Sequence, residues 1–128
     1  MIEGLDHASL PMQDADAMVG FYRALGFDVE EDKRFVRVHA GRQMINFHRP
    51  DLWPQPSFTL RAPAAVPPCG DLCFVWGDTV DVLRARLEEL AIAIEEGPVA
   101  RAGGRRENGT SVYVRDPDGN LVEFMTYG

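Results

Sequence analysis

The feature that most limits how this chain can fold is that it repeats itself. Laid over one another, two stretches agree in order: His7 falls on Asp71 and Asp14 on Asp78 at the same spacing. After a one-residue slip, Leu25, Phe27, Val29, Glu30 and Glu31 fall on Leu90, Ile92, Ile94, Glu95 and Glu96. Each copy reads β-α-β-β-β, so the chain is one supersecondary unit used twice. In the first copy, residues 5–12 alternate as a strand, Asp14 caps a helix over 15–25, and Gly26 stops it. Its apolar stripe is Met18, Phe21, Tyr22 and Leu25. Strands over 27–31, 35–39 and 43–48 follow. In the second copy, residues 71–76 are a strand, and Asp78 or Thr79 caps a helix to about residue 90, with Val80, Leu83, Leu87 and Leu90 as its stripe. A short strand over 92–96, a glycine- and arginine-rich loop over 99–109 and a hairpin of 110–115 with 121–126 complete it. Asp116, Pro117 and Gly119 supply the chemistry of the hairpin turn.

This pattern predicts an α+β fold in one domain spanning residues 1–128: module one over 1–48, a connector over 49–69 and module two over 70–128. The connector holds six of the nine prolines and has no period. It reads as a surface segment, with Trp53, Phe58 and Leu60 docked on something. A chain of 128 residues with 45% hydrophobic and 26% charged residues is one soluble domain's worth. The net charge of −7 argues against a nucleic-acid or anionic-membrane partner. No apolar run approaches a membrane span, and no basic segment leads into an apolar core near the start, so cytoplasmic residence is the expectation. Cys69 and Cys73, about 13 Å apart if extended, are too distant for a disulfide. They read as reduced thiols, at least one of them buried.

If each helix covers one face of its sheet, that face takes Ala8, Leu10, Val36, Val38, Ile45, Phe47, Leu72, Phe74, Trp76, Val112, Val114, Val122 and Phe124. The opposite face is left with a chemically mixed set that includes His7, Arg37, Asn46, His48, Asp71, Cys73, Ser111, Tyr113, Arg115, Glu123 and Met125. Twisted four-stranded sheets curl, so two such halves predict a mixed-sheet cup lined by this set, with the helices outside. A solvated sheet face is the alternative. His7, its repeat-mate Asp71 and Glu123 on the last strand would converge from equivalent places. An imidazole and two carboxylates suit a divalent transition metal, and they are equally compatible with exposed polar residues.

The segments "GLDHASLPMQDADAMVGFYRALGF", "GDLCFVW", "IEEGPVARAGG" and "SVYVRDPDGNLVEFMTY" resemble the vicinal oxygen chelate superfamily, which includes glyoxalase I, fosfomycin- and bleomycin-resistance proteins and extradiol dioxygenases. The likeness spans nearly the whole chain and is nearest to glyoxalase domain-containing proteins of unassigned substrate. It implies paired modules and a divalent metal (Ni, Zn, Mn, Co or Fe) held by His7, Asp71 and Glu123, with Asn46 or His48 as a possible fourth ligand. It also implies a lyase, isomerase or transferase acting on a small oxygenated molecule, with Glu123 at the chemistry, or alternatively a metal-free sequestering protein of the bleomycin-resistance type. A homodimer is expected on the same ground. This sequence has Asp71 where the family's enzymes usually have histidine, and Asn46 where glyoxalase I has glutamate. Arg37, Arg101, Arg115 and Tyr113 are candidates to hold the substrate, and each also reads as an ordinary surface or turn residue.

Overall fold

The computed structural model describes residues 1–128 and contains two four-stranded mixed sheets and two helices, in the order β1 (His7–Pro11), α1 (Ala15–Ala24), β2 (Asp28–Glu31), β3 (Phe35–Ala40), β4 (Gln43–His48), β5 (Asp71–Val75), α2 (Val80–Glu89), β6 (Glu96–Ala102), β7 (Asn108–Arg115) and β8 (Leu121–Thr126). The sheets are ordered β1-β4-β3-β2 and β5-β8-β7-β6. In each, the first strand pairs parallel to the last and the other pairs are antiparallel. The repeat read from the sequence is therefore a repeat of topology, and neither sheet closes into a barrel. Neither helix is long and apolar enough to cross a membrane.

The chain divides into two compact units. Unit 1 comprises Met1–Gly70 with Pro117–Gly119, and unit 2 comprises Asp71–Asp116 with Asn120–Gly128. In unit 1, Asp14 caps α1 by accepting from the Ala17 N–H at 3.2 Å. Met18, Val19, Tyr22 and Leu25 form the helix's buried stripe, while Phe21 is half-buried. Tyr22 packs against Phe27 and Phe47, with ring centroids 5.4 and 5.8 Å apart, over a floor of Val36, Val38 and Ile45. The turn residue Asp118 belongs to this unit: its carboxylate accepts from the Gln13 and Asp14 N–H groups at 2.7 and 2.9 Å.

Unit 2 is built likewise but with a thinner helix seam. Thr79 caps α2, and only Leu83 and Leu87 are buried along it. They accompany Val112, Val114, Val122 and Phe124 in the core. The predicted helix-facing residues on β1 and β5 (Ala8, Leu10, Leu72 and Phe74) are only half-buried, because both strands are sheet edges. The turn into β8 is held by Asn120, whose backbone N–H and side-chain amide donate to the Asp116 carboxylate, both at 2.9 Å. Gly119, at φ +100°, supplies the left-handed turn position.

Four expectations need correction. The strand expected over 92–96 begins at Glu96, and the expected loop over 99–109 is mostly ladder: Val99 to Ala102 pair with Ser111 to Asn108, after a register shift. The glycines that suggested a loop there answer a packing demand instead. A Cβ at Gly103 would fall on the Tyr127 hydroxyl, and one at Gly109 would come within 2.7 Å of the Thr126 carbonyl. Both cysteines are free and exposed, Cys69 in the connector and Cys73 on the open edge of β5. In the connector, Trp53 does dock, donating from Nε1 to the Met12 carbonyl at 3.0 Å, and Phe58 sits edge-on to His48. Leu60 does not dock; it is 90% exposed.

Candidate functional site

The candidate residues lie on the sheet face opposite the helix in each unit. In unit 1, His7 opens β1, and Asp6 Oδ1 lies 2.6 Å from its Nδ1. An ionised carboxylate only accepts, so Nδ1 carries the hydrogen of this bond and Nε2 is the ring nitrogen that takes no part in it. This is the arrangement that metal-bound histidines commonly use. Asn46 lies between Ser9 and Arg37 in the ladder, and its Oδ1 is buried with no hydrogen-bond partner. His48 is 5% exposed, its ring enclosed by Phe35 and Phe58 at centroid distances of 5.6 and 5.0 Å. Burial and the nearby charges of Arg61 and Arg34 push the His48 imidazole below its ordinary value, which favours the neutral ring.

In unit 2, Asp71 and Cys73 face the same side of β5, and Cys73 is the ladder partner of Glu123. Ser111 is completely buried and donates from Oγ to Glu123 Oε2 at 2.5 Å. The Cys73 thiol lies opposite this carboxylate in the ladder. Its residue is exposed along the strand edge, yet burial of the sulfur, then the charges of Glu123 and Asp71, push the thiol up to about 12. It is therefore a protonated donor, not a thiolate, at neutral pH. Tyr113, across the ladder from Glu123, accepts from Arg101 Nε at 3.0 Å.

The three arginine candidates are all committed to acids. Arg37 pairs with Asp32 at 2.8 Å, Arg101 with Glu96 at 3.6 Å, and Arg115 with Glu95 at 3.0 Å. Glu123 accepts from the Ser111 hydroxyl, and Arg101 and Arg115 pair with other acids. The donor types suit a divalent cation: an imidazole oriented by a carboxylate and a carboxylate oriented by a hydroxyl. Unit 1 by itself offers His7, and unit 2 Asp71 and Glu123. No group of three or more His, Cys, Asp or Glu side chains is arranged to hold a metal ion. A cleft of about 770 Å³ in unit 2, lined by Trp76, Asp78, Arg105, Thr110, Thr126 and Tyr127 among others, contains none of the candidate residues. Sequence reasoning placed Ser111 on this face without assigning it a part; its signal was a serine between Thr110 and Val112 in a central strand.

Residues 4–124 match the family model described as the glyoxalase/bleomycin resistance protein/dioxygenase superfamily. The chain is 33% identical to virulence protein STM3117 of Salmonella typhimurium over 129 residues, covering 99% of this chain and 86% of that one. The crystal structure of that protein superposes with a TM-score of 0.88, covering 100% of this chain and 99% of the other. The glyoxalase domain-containing protein RDO1 of Mycosarcoma maydis is 35% identical over 127 residues, covering 98% of this chain and 69% of the relative. Lactoylglutathione lyase from Agrobacterium tumefaciens is 28% identical with a TM-score of 0.70, covering 98% of this chain and 94% of that one.

Proposed function

The chain belongs to the glyoxalase/bleomycin resistance protein/dioxygenase superfamily, and from that premise we propose that it is a divalent-metal-dependent enzyme of the lyase or isomerase type acting on a small oxygenated molecule. Its ligands would be His7 through Nε2, Asp71 and Glu123, assembled within one chain or between the two chains of a homodimer. The observation that carries the reading is Glu123. A carboxylate in the middle of a strand costs free energy unless something meets its charge, and this one has one neutral donor, the Ser111 hydroxyl, and no arginine or lysine ion pair. Its similarity to a lyase of the same fold supports the direction.

When bound, a divalent cation would supply stabilisation of an oxyanion forming on the substrate. The chain's own parts are then specific. Asp6 keeps the His7 hydrogen on Nδ1. Ser111 donates to the Glu123 carboxylate and restrains its orientation. Tyr113, whose oxygen accepts from Arg101, keeps its own O–H to donate to a substrate oxygen beside Glu123. Glu123 would also be a carboxylate able to receive a substrate proton.

A second reading, a metal-free module that sequesters a small molecule, draws on the lack of any three-donor group. Thermal unfolding with Ni²⁺, Zn²⁺, Mn²⁺, Co²⁺ or Fe²⁺ separates the two. A cation at a hundred times its dissociation constant stabilises by about 2.7 kcal/mol. The enzyme reading expects that shift in the native chain and its loss in Glu123→Ala. No shift with any of the five, or the same metal content in both proteins, selects the sequestering module.

A further inference from the structure

We infer that the cleft at the end of the second sheet binds a small zwitterion, an amino acid in kind, with its carboxylate on Arg105 and its ammonium on Asp78. The cleft lies wholly within unit 2 and has a volume of about 770 Å³, which is within the range of small-molecule sites. It stands apart from the candidate face. Trp76, Thr110 and Thr126 line it, and each continues the alternation of the residues that face α2: Phe74 on β5, Val112 on β7 and Phe124 on β8. Glu123, Ser111 and Cys73 have the opposite phase. The inference therefore goes beyond the metal reading and does not rest on it.

The cation is positioned by the hairpin between β6 and β7. The Gly103 N–H donates to the Glu107 carbonyl at 2.9 Å and the Arg106 N–H to the Gly103 carbonyl at 3.1 Å, closing a tight turn. Arg106 adopts a left-handed φ of +62° to make it, a conformation that few residues other than glycine take. Gly103 and Gly109 leave no room for a Cβ, the first against the Tyr127 hydroxyl and the second against the Thr126 carbonyl. The hairpin is thereby set down on Tyr127, and the Arg105 guanidinium lies over that ring, 4.6 Å from its centroid. A guanidinium stacked by its face keeps its in-plane N–H donors for a carboxylate. Arg101 and Arg115 in the same unit each hold an acid, but Arg105 has none within ion-pair distance.

The anion is Asp78. Its Oδ1 accepts from the Thr79 N–H at 2.7 Å, and no cation pairs with the carboxylate. Two opposite charges thus line one cleft without meeting. A ligand of a single sign would be attracted by one and repelled by the other, whereas a zwitterion answers both. Trp76 and Val80 supply an apolar wall for its side chain, and the indole is held by its Nε1 donating to the Thr79 carbonyl at 3.1 Å. In the same wall, Thr126 Oγ1 is buried with no hydrogen-bond partner, a polar group that costs free energy until something meets it.

The test is amide NMR and calorimetry on the full-length protein, with a chelator present so that no divalent cation contributes. Each common amino acid is titrated in turn at millimolar concentration. At least one is expected to bind and to move the Val80, Thr110 and Thr126 amides together. Its analogues lacking the amine or the carboxylate should bind about 10-fold more weakly or worse. The same loss is expected in Arg105→Met, which keeps an apolar stem over Tyr127, and in Asp78→Asn, which keeps an oxygen for the Thr79 N–H. The proposal is overturned if no amino acid moves those amides, or if the analogue without the amine binds as tightly as its parent. It is equally overturned if either variant binds within about twofold of the native chain. The analogues are read on the native protein, so a variant that loses stability does not shield the proposal. Because the titration is free of metal, its failure and the failure of the metal reading are scored separately.

Discussion

Asn46 and Glu123 hold the same place in the two modules, and their neighbours differ: Glu123 has the Ser111 hydroxyl, and Asn46 Oδ1 has nothing. The contrast extends along the face. Module one closes its end with an aromatic stack of Phe35, His48 and Phe58 and pairs its bases with acids, Arg37 with Asp32 and His39 with Glu30. In module two the corresponding end holds Met125 beneath Gly103 and Gly109, and the ionisable groups Asp71 and Glu123 have no salt-bridge partner. One scaffold with one strand order has been tuned in opposite directions, toward self-satisfaction in the first copy and toward an unmet charge in the second. That asymmetry is why the proposed chemistry is assigned to β5 and β8.

The largest expected effect probes the helices. α1 buries Met18, Val19 and Tyr22, whereas α2 buries only Leu83 and Leu87. With two anchors, module two has no spare, so Leu83→Ala should cost about 2–5 kcal/mol in denaturant unfolding. Hydrogen exchange should rise first across α2 and β5–β8. A cost below about 1 kcal/mol would show that the thin seam collapses without a cavity and that the modules are better matched than they look.

Next is the turn carboxylate Asp118, which grips the two backbone N–H groups ahead of α1. Hydrogen bonds to a charged acceptor are worth more than neutral ones, so Asp118→Ala should destabilise by about 2 kcal/mol. Asp118→Asn should recover part of that. The exchange signature falls on the Gln13 and Asp14 amides; α2, capped by its own Thr79, should be untouched. If the α2 amides lose protection equally, the two helix starts are not independent.

The third tests the stacked histidine. Because His48 is held below its ordinary value of 6.5 by burial and by Arg61 and Arg34, the unfolded chain binds its proton more readily than the folded one. Its contribution is therefore intact above pH 6.5 and is lost as pH falls from there toward the folded value. One group changes the slope by at most about 1.4 kcal/mol per pH unit. His48→Met, which installs the residue module two uses at this place, should flatten that part of the stability curve. Asp32, held down to about 2 by the Arg34 and Phe35 N–H groups and by Arg37, acts lower: its contribution is present above pH 3.8 and declines toward pH 2. The two are separable on one titration.

Much of this was legible in the chain. The repeat, both helix caps, the hairpin turn and the alternation on β3, β4, β7 and β8 follow from local rules of period and capping. β6 was misread because Gly103 and Gly109 look like loop residues locally; the reason for them is Tyr127 and Thr126, far along the chain. The ion pairs of Arg37, Arg101 and Arg115 were not read either: Arg37 meets Asp32 across a turn, Arg101 meets Glu96 along β6 itself, and Arg115 meets Glu95 just ahead of β6, none of which alternation alone reveals. Ser111 was placed on the correct face but left without a part, because a diagonal contact needs the ladder register between β7 and β8.

The smallest effect is also the one that runs against intuition. Asn46 Oδ1 is buried without a donor, so its carbonyl lost water on folding and gained nothing. Replacing it by leucine, which has the same branching but more bulk, removes that cost and the need for a donor. Asn46→Leu should therefore be neutral or stabilising by up to about 1 kcal/mol, where most substitutions at a half-buried strand position destabilise. Unfolding of the native and Asn46→Leu chains in urea at pH 7 measures it. A loss of more than 1 kcal/mol would mean that the amide does have a partner, a trapped water or a neighbouring chain, and that module one is less self-satisfied than its ion pairs suggest. A gain sharpens the comparison, because the same face would then tolerate an apolar group on β4 while the equivalent strand of module two maintains a carboxylate with a serine donating to it.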